Sequence, residues 1–348
     1  MRAHATRGTG TEEMDELITL NQGSGGLLTH QLIREVFQKS FGIPEPLTDS
    51  AVCDTGGGTI AFTTDSYVVD PLFFPGGNIG KLAVCGTVND LAVSGAVPKW
   101  LSASFIIEEG FPLKDLAAIV ESMAEEAGKA GVRIITGDTK VVEKGKCDKL
   151  FITTSGTGIL DPSREHIGRG TRIMKGDNLI INGPVGNHSL AVLGARNQMS
   201  FSTSVVSDCA SLNGLTESIL TGCRQVNFMR DLTRGGLASV LNELAGMIGK
   251  GIVVDESSVP VDEPVRGICE MLGFDPLYLA NEGKVLVVAG KEEAQQVLEI
   301  MRSHPLGSDA AIIGEIADSG RPVVTLNTSI GGKRILDMLS GLQLPRIC

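Results

Sequence analysis

The stretch TIAFTTDSYVVD, residues 59–70, alternates β-branched and polar positions with a period of two, which predicts a strand. Residues 78–96, NIGKLAVCGTVNDLAVSGA, are apolar on nearly every side, the pattern of a largely buried helix. KWLSASFIIEEG then predicts a second strand, and PLKDLAAIVESMAEEAGKAG an amphipathic helix with Pro112 near its start. VRIITGDTKVV and KLFITTSGTGIL read as two further strands. Upstream, ELITLNQGSGGLLTHQLIREVFQKSFG passes from a short apolar run through a glycine loop into an amphipathic helix.

The second half repeats the mixture. DNLIINGPVG, KVLVVAG, AAIIGEIA and PVVTLNT predict strands, and helices are expected at 209–221, 236–249 and 291–303. Strands and helices interleave without the regular βαβ beat of a doubly wound sheet, so the class is α+β. A composition change across 161–177 marks a linker. The expected organisation is a disordered extension 1–16, an N-terminal unit 17–163, a C-terminal unit 168–337 and a flexible tail 338–348.

Hydrophobic residues are 42% and charged residues 20%, an ordinary globular balance. Glycine departs from it: 44 of 348 residues is roughly 13%, about twice the usual share. The excess falls in loops such as GSGG, TGGGT, FPGGNIG and TRGGL, where a backbone can approach a ligand closely. A formal charge of −11 without a dense Lys/Arg run argues against nucleic acid or an anionic membrane as partner. The first sixteen residues lack the apolar core of a signal peptide, and the longest apolar stretch is interrupted by Asn89 and Asp90, so no membrane span is expected. Seven cysteines with no CxxC pair support neither a disulfide framework nor a zinc site, and a cytoplasmic protein is expected.

Four aspartates sit where strands or helices meet glycine-rich or small-residue loops: Asp49, Asp65, Asp90 and Asp138. Any one of them reads as a turn residue or a buried acid paired with lysine. Gathered with Lys140 and the glycine loops, they favour a magnesium–nucleotide site, since Mg²⁺ takes a few carboxylates plus phosphate oxygens. No Walker A pattern is present. Asp231 and Thr233, in MRDLTRGGLASVLNELAG, precede a helix start that suits a phosphate; ordinary capping is the equal alternative. His188, in GNHSLAV, reads as a loop histidine bonded to backbone. Glu282, in LANEGKVLVV, is either a loop residue or a base in a pocket, and periodicity does not decide.

Cys348 ends the sequence, after Pro345, which biases the tail toward extended geometry. A dozen tail residues reach about 40 Å at ~3.3 Å each. The neighbouring terminal carboxylate should disfavour the thiolate, so Cys348 reads as a carrier handle rather than a nucleophile.

Taken together, TTDSYVVDPLFFPGGNIGKLAVCGTVNDLAVSGAVPK, GDTKVV, RDLTRGG, NEGK and the closing PRIC resemble the HypE family of hydrogenase maturation factors, the carbamoyl dehydratases of the PurM-like, AIR synthase-related superfamily. The likeness runs from about Ile18 to Cys348, and PRIC narrows it within the superfamily. It implies a homodimer whose N-terminal halves share a β-barrel, an α+β C-terminal half, and ATP with Mg²⁺ in the cleft between them. It further implies that HypF carbamoylates Cys348, that the thiocarbamate is dehydrated to a thiocyanate with ATP, and that the cyano group passes through a HypC–HypD complex to the iron of a [NiFe] hydrogenase.

Carried over by position, the resemblance implies nucleotide contacts from Asp49, Asp65, Asn89, Asp90, Asp138, Thr139, Asp231 and Thr233. Asp49, Asp65, Asp90 and Asp138 would hold the metal, and Cys348, Glu282 and Lys140 the reaction. Ser189 stands where the family pattern has glycine, and the extension 1–16 exceeds it. Two other readings are a different ATP-using member of the superfamily, such as a selenophosphate synthetase or thiamine-phosphate kinase, and a non-catalytic nucleotide-binding scaffold. A selenophosphate synthetase would want a reactive Cys in the loop NQGSGG, which has none.

Overall fold

The computed structural model describes residues 17–43, 45–196, 204–318, 320–339, 341, 344 and 346–348. The expected disordered extension 1–16 and the tail's Pro345 lie outside the described residues.

The first part begins with a helix, α1 (Leu27–Leu32), that runs through a wider turn at Ile33–Gln38 into α2 (Lys39–Phe41). β1 (Ala51–Asp54) and β2 (Thr59–Tyr67) form a hairpin, followed by the short pair β3 (Phe73–Phe74) and β4 (Gly77–Asn78). Then come α3 (Ile79–Val93), β5 (Val97–Glu108), α4 (Leu113–Ala130), β6 (Arg133–Val142) and β7 (Leu150–Leu160). The sheet order is β1-β2-β7-β5-β6, with only β5 and β6 parallel.

α4 shows how pattern becomes packing. Leu116, Ile119, Met123, Ala127 and Ala130 recur every three or four residues, and the last four of them are buried. Ile119 and Met123 lie against α3 in the first core, each contributing about 1.5–3 kcal/mol by burial. Gly131, in the left-handed conformation at φ 69°, ends the helix. α3 has no such stripe because it is covered on all sides; Asn78 starts it by accepting from the amides of Gly80 and Lys81 at 2.9 and 3.1 Å. Gly86 sits where a Cβ would lie 2.2 Å from the Tyr67 hydroxyl, so only glycine lets α3 rest on β2 here.

The second part holds β8 (Asn178–Ile181), α5 (Asn187–Ala195), α6 (Asn213–Gly222), β9 (Val226–Asp231), α7 (Gly236–Ile248), β10 (Gly251–Asp255) and α8 (Glu263–Leu272). It continues with β11 (Val285–Ala289), α9 (Ala294–Ser303), β12 (Ala311–Ala317), β13 (Val324–Asn327) and β14 (Lys333–Ile335). Its sheet runs β14-β13-β10-β12-β8-β11-β9, antiparallel except for the β10–β13 pair. Both parts mix helices with largely antiparallel sheets, as the α+β assignment requires.

Three stretches differ from their sequence pattern. The helix expected from 209 begins at Asn213, because the preceding backbone is held elsewhere: Ala210 N–H donates to the Glu282 carbonyl (3.2 Å) and Leu212 N–H to Asn89 Oδ1 (2.7 Å). GNHSLAV is not a loop but the start of α5, whose apolar residues face core on all sides and so leave no amphipathic signal. VNFMRD forms the wholly buried strand β9, with Asn227, Arg230 and Asp231 buried among its apolar residues. Among the described residues no helix is long and apolar enough to cross a membrane.

β6 is an edge strand that stays open to solvent. Ile134, Ile135 and Val141 are 38%, 55% and 68% exposed, a row of apolar side chains on an unpaired strand edge.

Candidate functional site

α3 carries Asp90 to the junction of the two parts, where it meets Asp49 from the loop before β1 and Asp231 from the end of β9. Their carboxylate oxygens all lie within 4.8 Å of one another. Asp65, on β2, is hydrogen-bonded beside Asp90 and accepts from Thr87 Oγ1 (3.3 Å). Thr63 Oγ1 donates to Asp90 Oδ2 at 2.7 Å. Arg230 supports the cluster from behind, 3.1 Å from Asp49 and 2.6 Å from Glu243, which in turn meets His30 at 3.0 Å.

Arg230 beside Asp49 and Arg234 beside Asp65 do not neutralise four acids. Burial pushes Asp90 and Asp231 well above the usual carboxylate range, and the neighbouring acids add to it: Asp65, Asp231 and Asp49 for Asp90, Asp49 and Asp65 for Asp231. Burial also raises Asp65, and Asp49 despite the opposing pull of Arg230. Convergent buried oxygens that repel one another are the donor set a small hard divalent cation wants, and Asp49, Asp90 and Asp231 fit Mg²⁺.

Cys348 lies beside this cluster. A pocket of about 50 Å³ is bounded by Asp65, Asp90, Asp231, Arg234, Glu282 and Cys348. Its neighbour is a larger, mainly apolar cavity of about 360 Å³ that reaches from Cys348 past Leu344 and Tyr278 to the segment around Leu20. Ile347 is 5% exposed and inserts into the first core. Burial pushes the Cys348 thiol up to about 12, with Glu282 and Asp65 raising it further against Arg234. The thiol is therefore held neutral by its surroundings in the pocket, whereas the sequence points to the terminal carboxylate.

Glu282 is 3% exposed, on the turn leading into β11, and its Oε1 has no hydrogen-bond partner among the described residues. Burial raises it well above the usual carboxylate range, with Asp231 and Asp208 adding to the shift. Its own N–H donates to Asp208 Oδ1 (3.2 Å), and Lys284 pairs with Asp208 at 3.2 Å, which fixes the turn.

The remaining expected residues fall in different places. Asp231 and Thr233 both line the Cys348 pocket, and neither side chain caps α7, whose N-cap is Gly235 at φ 79°. Asn89 is 1% exposed with both ends of its amide taken by backbone, at Leu212 N–H (2.7 Å) and the Ala210 carbonyl (3.1 Å); it braces the joint between α3 and α6. Asp138, Thr139 and Lys140 lie on the open edge strand β6, outside the acid cluster of their own chain. There Lys140 Nζ is 2.8 Å from Asp138, both side chains more than half exposed. Of the acids expected from sequence at the metal, Asp49 and Asp90 therefore converge, together with Asp231, while Asp65 lies beside them and Asp138 does not join them within one chain.

Two residues take a part that the sequence reading did not give them. Arg234 faces Cys348, Asp65 and Glu282, all three of which favour its charged form and raise its pKa; the signal was its place in TRGG, one residue after Thr233. His188 is fully buried, with Nδ1 2.8 Å from Ser207 Oγ and Nε2 2.9 Å from the Ile347 carbonyl. Its bond to backbone is as expected, but its partner is the tail.

Family models describe both parts: the AIR synthase related protein N-terminal domain matches residues 47–160, and the C-terminal domain matches 174–327. The carbamoyl dehydratase HypE of Rhodobacter capsulatus is 49% identical over 96% of this chain and 99% of its own. That of Escherichia coli K12 is 48% identical over 95% and 99%. In a crystal structure of a HypE–HypF complex the matching chain superposes with a TM-score of 0.83 at 50% identity, covering 88% of this chain and 99% of that one. HypE in complex with ATP gives 0.80 at 45% identity, covering 95% and 100%. A thiamine monophosphate kinase from Aquifex aeolicus shares the fold alone, at 17% identity and a TM-score of 0.63 over 88% and 99%. With a PurM-like architecture in both halves and near-half identity along almost its whole length, the chain belongs to the HypE family of carbamoyl dehydratases.

Proposed function

We propose that this protein dehydrates a carbamoyl group carried on Cys348 to a thiocyanate at the expense of ATP, and so supplies cyano ligands for the iron of a [NiFe] hydrogenase. The observation that carries the reading is Cys348 docked against Glu282 at the rim of the buried acid cluster.

Amide dehydration is uphill in water because the carbonyl oxygen is a poor leaving group. Phosphorylation of that oxygen makes it leave as phosphate, and the nitrogen must lose both protons as the C≡N bond forms. Glu282 is the base: it faces the thiol, one of its oxygens is unpartnered, and its raised pKa makes the ionised form a stronger acceptor. Arg234 offsets negative charge that develops at the pocket. Asp49, Asp90 and Asp231, with Asp65 beside them, would hold Mg²⁺, which supplies charge neutralisation at the transferring phosphoryl. Thr233, just before the positive end of the α7 dipole, suits phosphate oxygens.

Asp138, Thr139 and Lys140 sit on a strand edge that a second copy of the chain would cover, and a two-fold pair closed through β6 would bring them to a shared site. The homodimer, the division into units 17–163 and 168–337 with a tail from 338, delivery through HypC–HypD and a cytoplasmic location belong to the same proposal, as does carbamoylation by HypF. The test is the intact mass of the protein with a HypF-type carbamoyltransferase, carbamoyl phosphate and ATP. The expected course is gain of one carbamoyl group and then ATP-dependent loss of one water; a carbamoyl group that persists with ATP present would overturn the reading.

A further inference from the structure

His188 is a buried, titratable side chain that the chemistry above does not use. It stands on the first turn of α5, packed edge-on against Phe74 with ring centroids 5.4 Å apart. Its hydrogen bonds determine which ring nitrogen carries the proton. The Ile347 carbonyl, 2.9 Å from Nε2, can only accept, so Nε2 carries the ring proton and donates it there. Nδ1 of the neutral ring then accepts the Ser207 hydroxyl, 2.8 Å away, whose oxygen in turn accepts the N–H of Cys209 (3.1 Å). Burial lowers the imidazole pKa, which keeps the ring in this neutral form.

The acceptor is what gives the arrangement meaning. Ile347 immediately precedes Cys348, so the carbonyl that His188 holds belongs to the same peptide unit as the Cys348 backbone nitrogen. The preceding residue is anchored independently: Arg346 Nε donates to the Val68 carbonyl (2.9 Å) and its guanidinium pairs with Asp148, while its own carbonyl accepts from Arg196 Nη2 (2.8 Å) and the Asp70 N–H (3.2 Å). The arginines set where the tail lies along the first part of the molecule. Of these tail hydrogen bonds to backbone, that from His188 is nearest the thiol along the chain, and it reaches the tail from the second part, which also carries Glu282.

We propose that His188, as the Nε2–H tautomer with Ser207 at Nδ1, is a positioning residue that registers the last peptide of the tail so that the group on Cys348 faces Glu282. It acts through Ile347 and touches no reacting atom. The inference rests on the dehydratase reading for its consequence, but the registration itself is measurable without any turnover.

His188→Phe keeps a ring of similar volume against Phe74 and removes the donor; His188→Gln returns an N–H near the position of Nε2. Two readouts separate the roles. The first is the rate at which iodoacetamide alkylates Cys348 in the unmodified protein, followed on the C-terminal peptide by mass spectrometry. The second is single-turnover loss of water from the carbamoylated protein at saturating ATP. His188→Phe should speed alkylation and slow water loss, each by roughly tenfold, the scale of one buried hydrogen bond, and His188→Gln should recover most of both. Carbamoylation, for which the tail must leave the pocket, should proceed at least as fast in His188→Phe as in the wild type. Wild-type values for both readouts in His188→Phe would overturn the proposal, as would faster alkylation with unchanged water loss. Equal impairment in Phe and Gln variants, with matching losses of thermal stability, would assign His188 to packing alone and also overturn it. If the wild type itself loses no water, the dehydratase reading fails, and the alkylation contrast still decides whether His188 registers the tail.

Discussion

Cys348 and Glu282 face one another across a pocket of about 50 Å³, thiol against carboxyl, each raised in pKa by burial, the thiol also by Glu282 and the carboxyl also by Asp231 and Asp208. Neither group is ionised cheaply there, so the pocket favours a neutral sulfur substituent beside a base that becomes strong once charge around it is balanced.

From this pairing, Glu282→Gln should keep the shape and the neutral hydrogen bonds while removing the base. Carbamoylation of Cys348 should proceed and water loss should slow by about 100-fold or more, the contribution typical of a general base. Cys348→Ala should abolish both modifications yet leave ATP binding intact. Mass spectrometry of the C-terminal peptide before and after ATP reads both; normal water loss in Glu282→Gln would remove it from the role.

The acid cluster predicts a pH dependence. Asp90 and Asp231 have folded-state pKa values raised above the 3.8 of an unperturbed aspartate, so the folded protein binds more protons than the unfolded chain above that pH. In chelator, the melting temperature should therefore fall as pH rises from about 4 toward neutrality. Mg²⁺ should restore most of the loss, and more at higher pH. Asp90→Asn should flatten the slope, weaken the rescue and lower ATP-dependent water loss by on the order of 100-fold. A melting temperature in chelator that is independent of pH would contradict the charged-cluster account.

Arg230 is buried between Asp49 and Glu243, and replacing it by Met strands two carboxylates. Breaking a buried pair from one side costs about 3–5 kcal/mol. Urea unfolding should show the midpoint lowered at unchanged slope; a loss below ~1 kcal/mol would mean that water reaches the two acids.

The open edge of β6, with Ile134, Ile135 and Val141 exposed beside Asp138 and Lys140, predicts association. Light scattering across a dilution series should report a dimer, and Ile135→Lys should dissociate it and depress turnover together. A stable monomer at micromolar concentration would count against a site shared between copies.

The sequence by itself determined the elements whose burial is one-sided. α4 and β2 carry periods of 3.6 and 2 because each has a wet face, and both lie where the pattern puts them. It also carried the family, through short stretches whose residue types the chemistry constrains. The acids were legible one by one, since a carboxylate inside the apolar run of α3 asks for a partner. The tertiary structure alone decided which of them meet: Asp231 joins Asp49 and Asp90, while Asp138 faces outward on β6, because convergence depends on how β9 packs against α3 across the joint. α5 and β9 were illegible because burial on all sides removes their periodicity and, unlike α3 or β11, neither offers a long apolar run in its place. α5 is nine residues opening on Asn187 and His188, and β9 carries Asn227, Arg230 and Asp231. The tail's place was likewise undetermined. Flexibility and reach follow from local chain chemistry, but docking follows from Ile347 entering a core, His188 and Arg196 taking its carbonyls, and Arg346 pairing with Asp148, contacts made with residues 150 or more positions away along the chain.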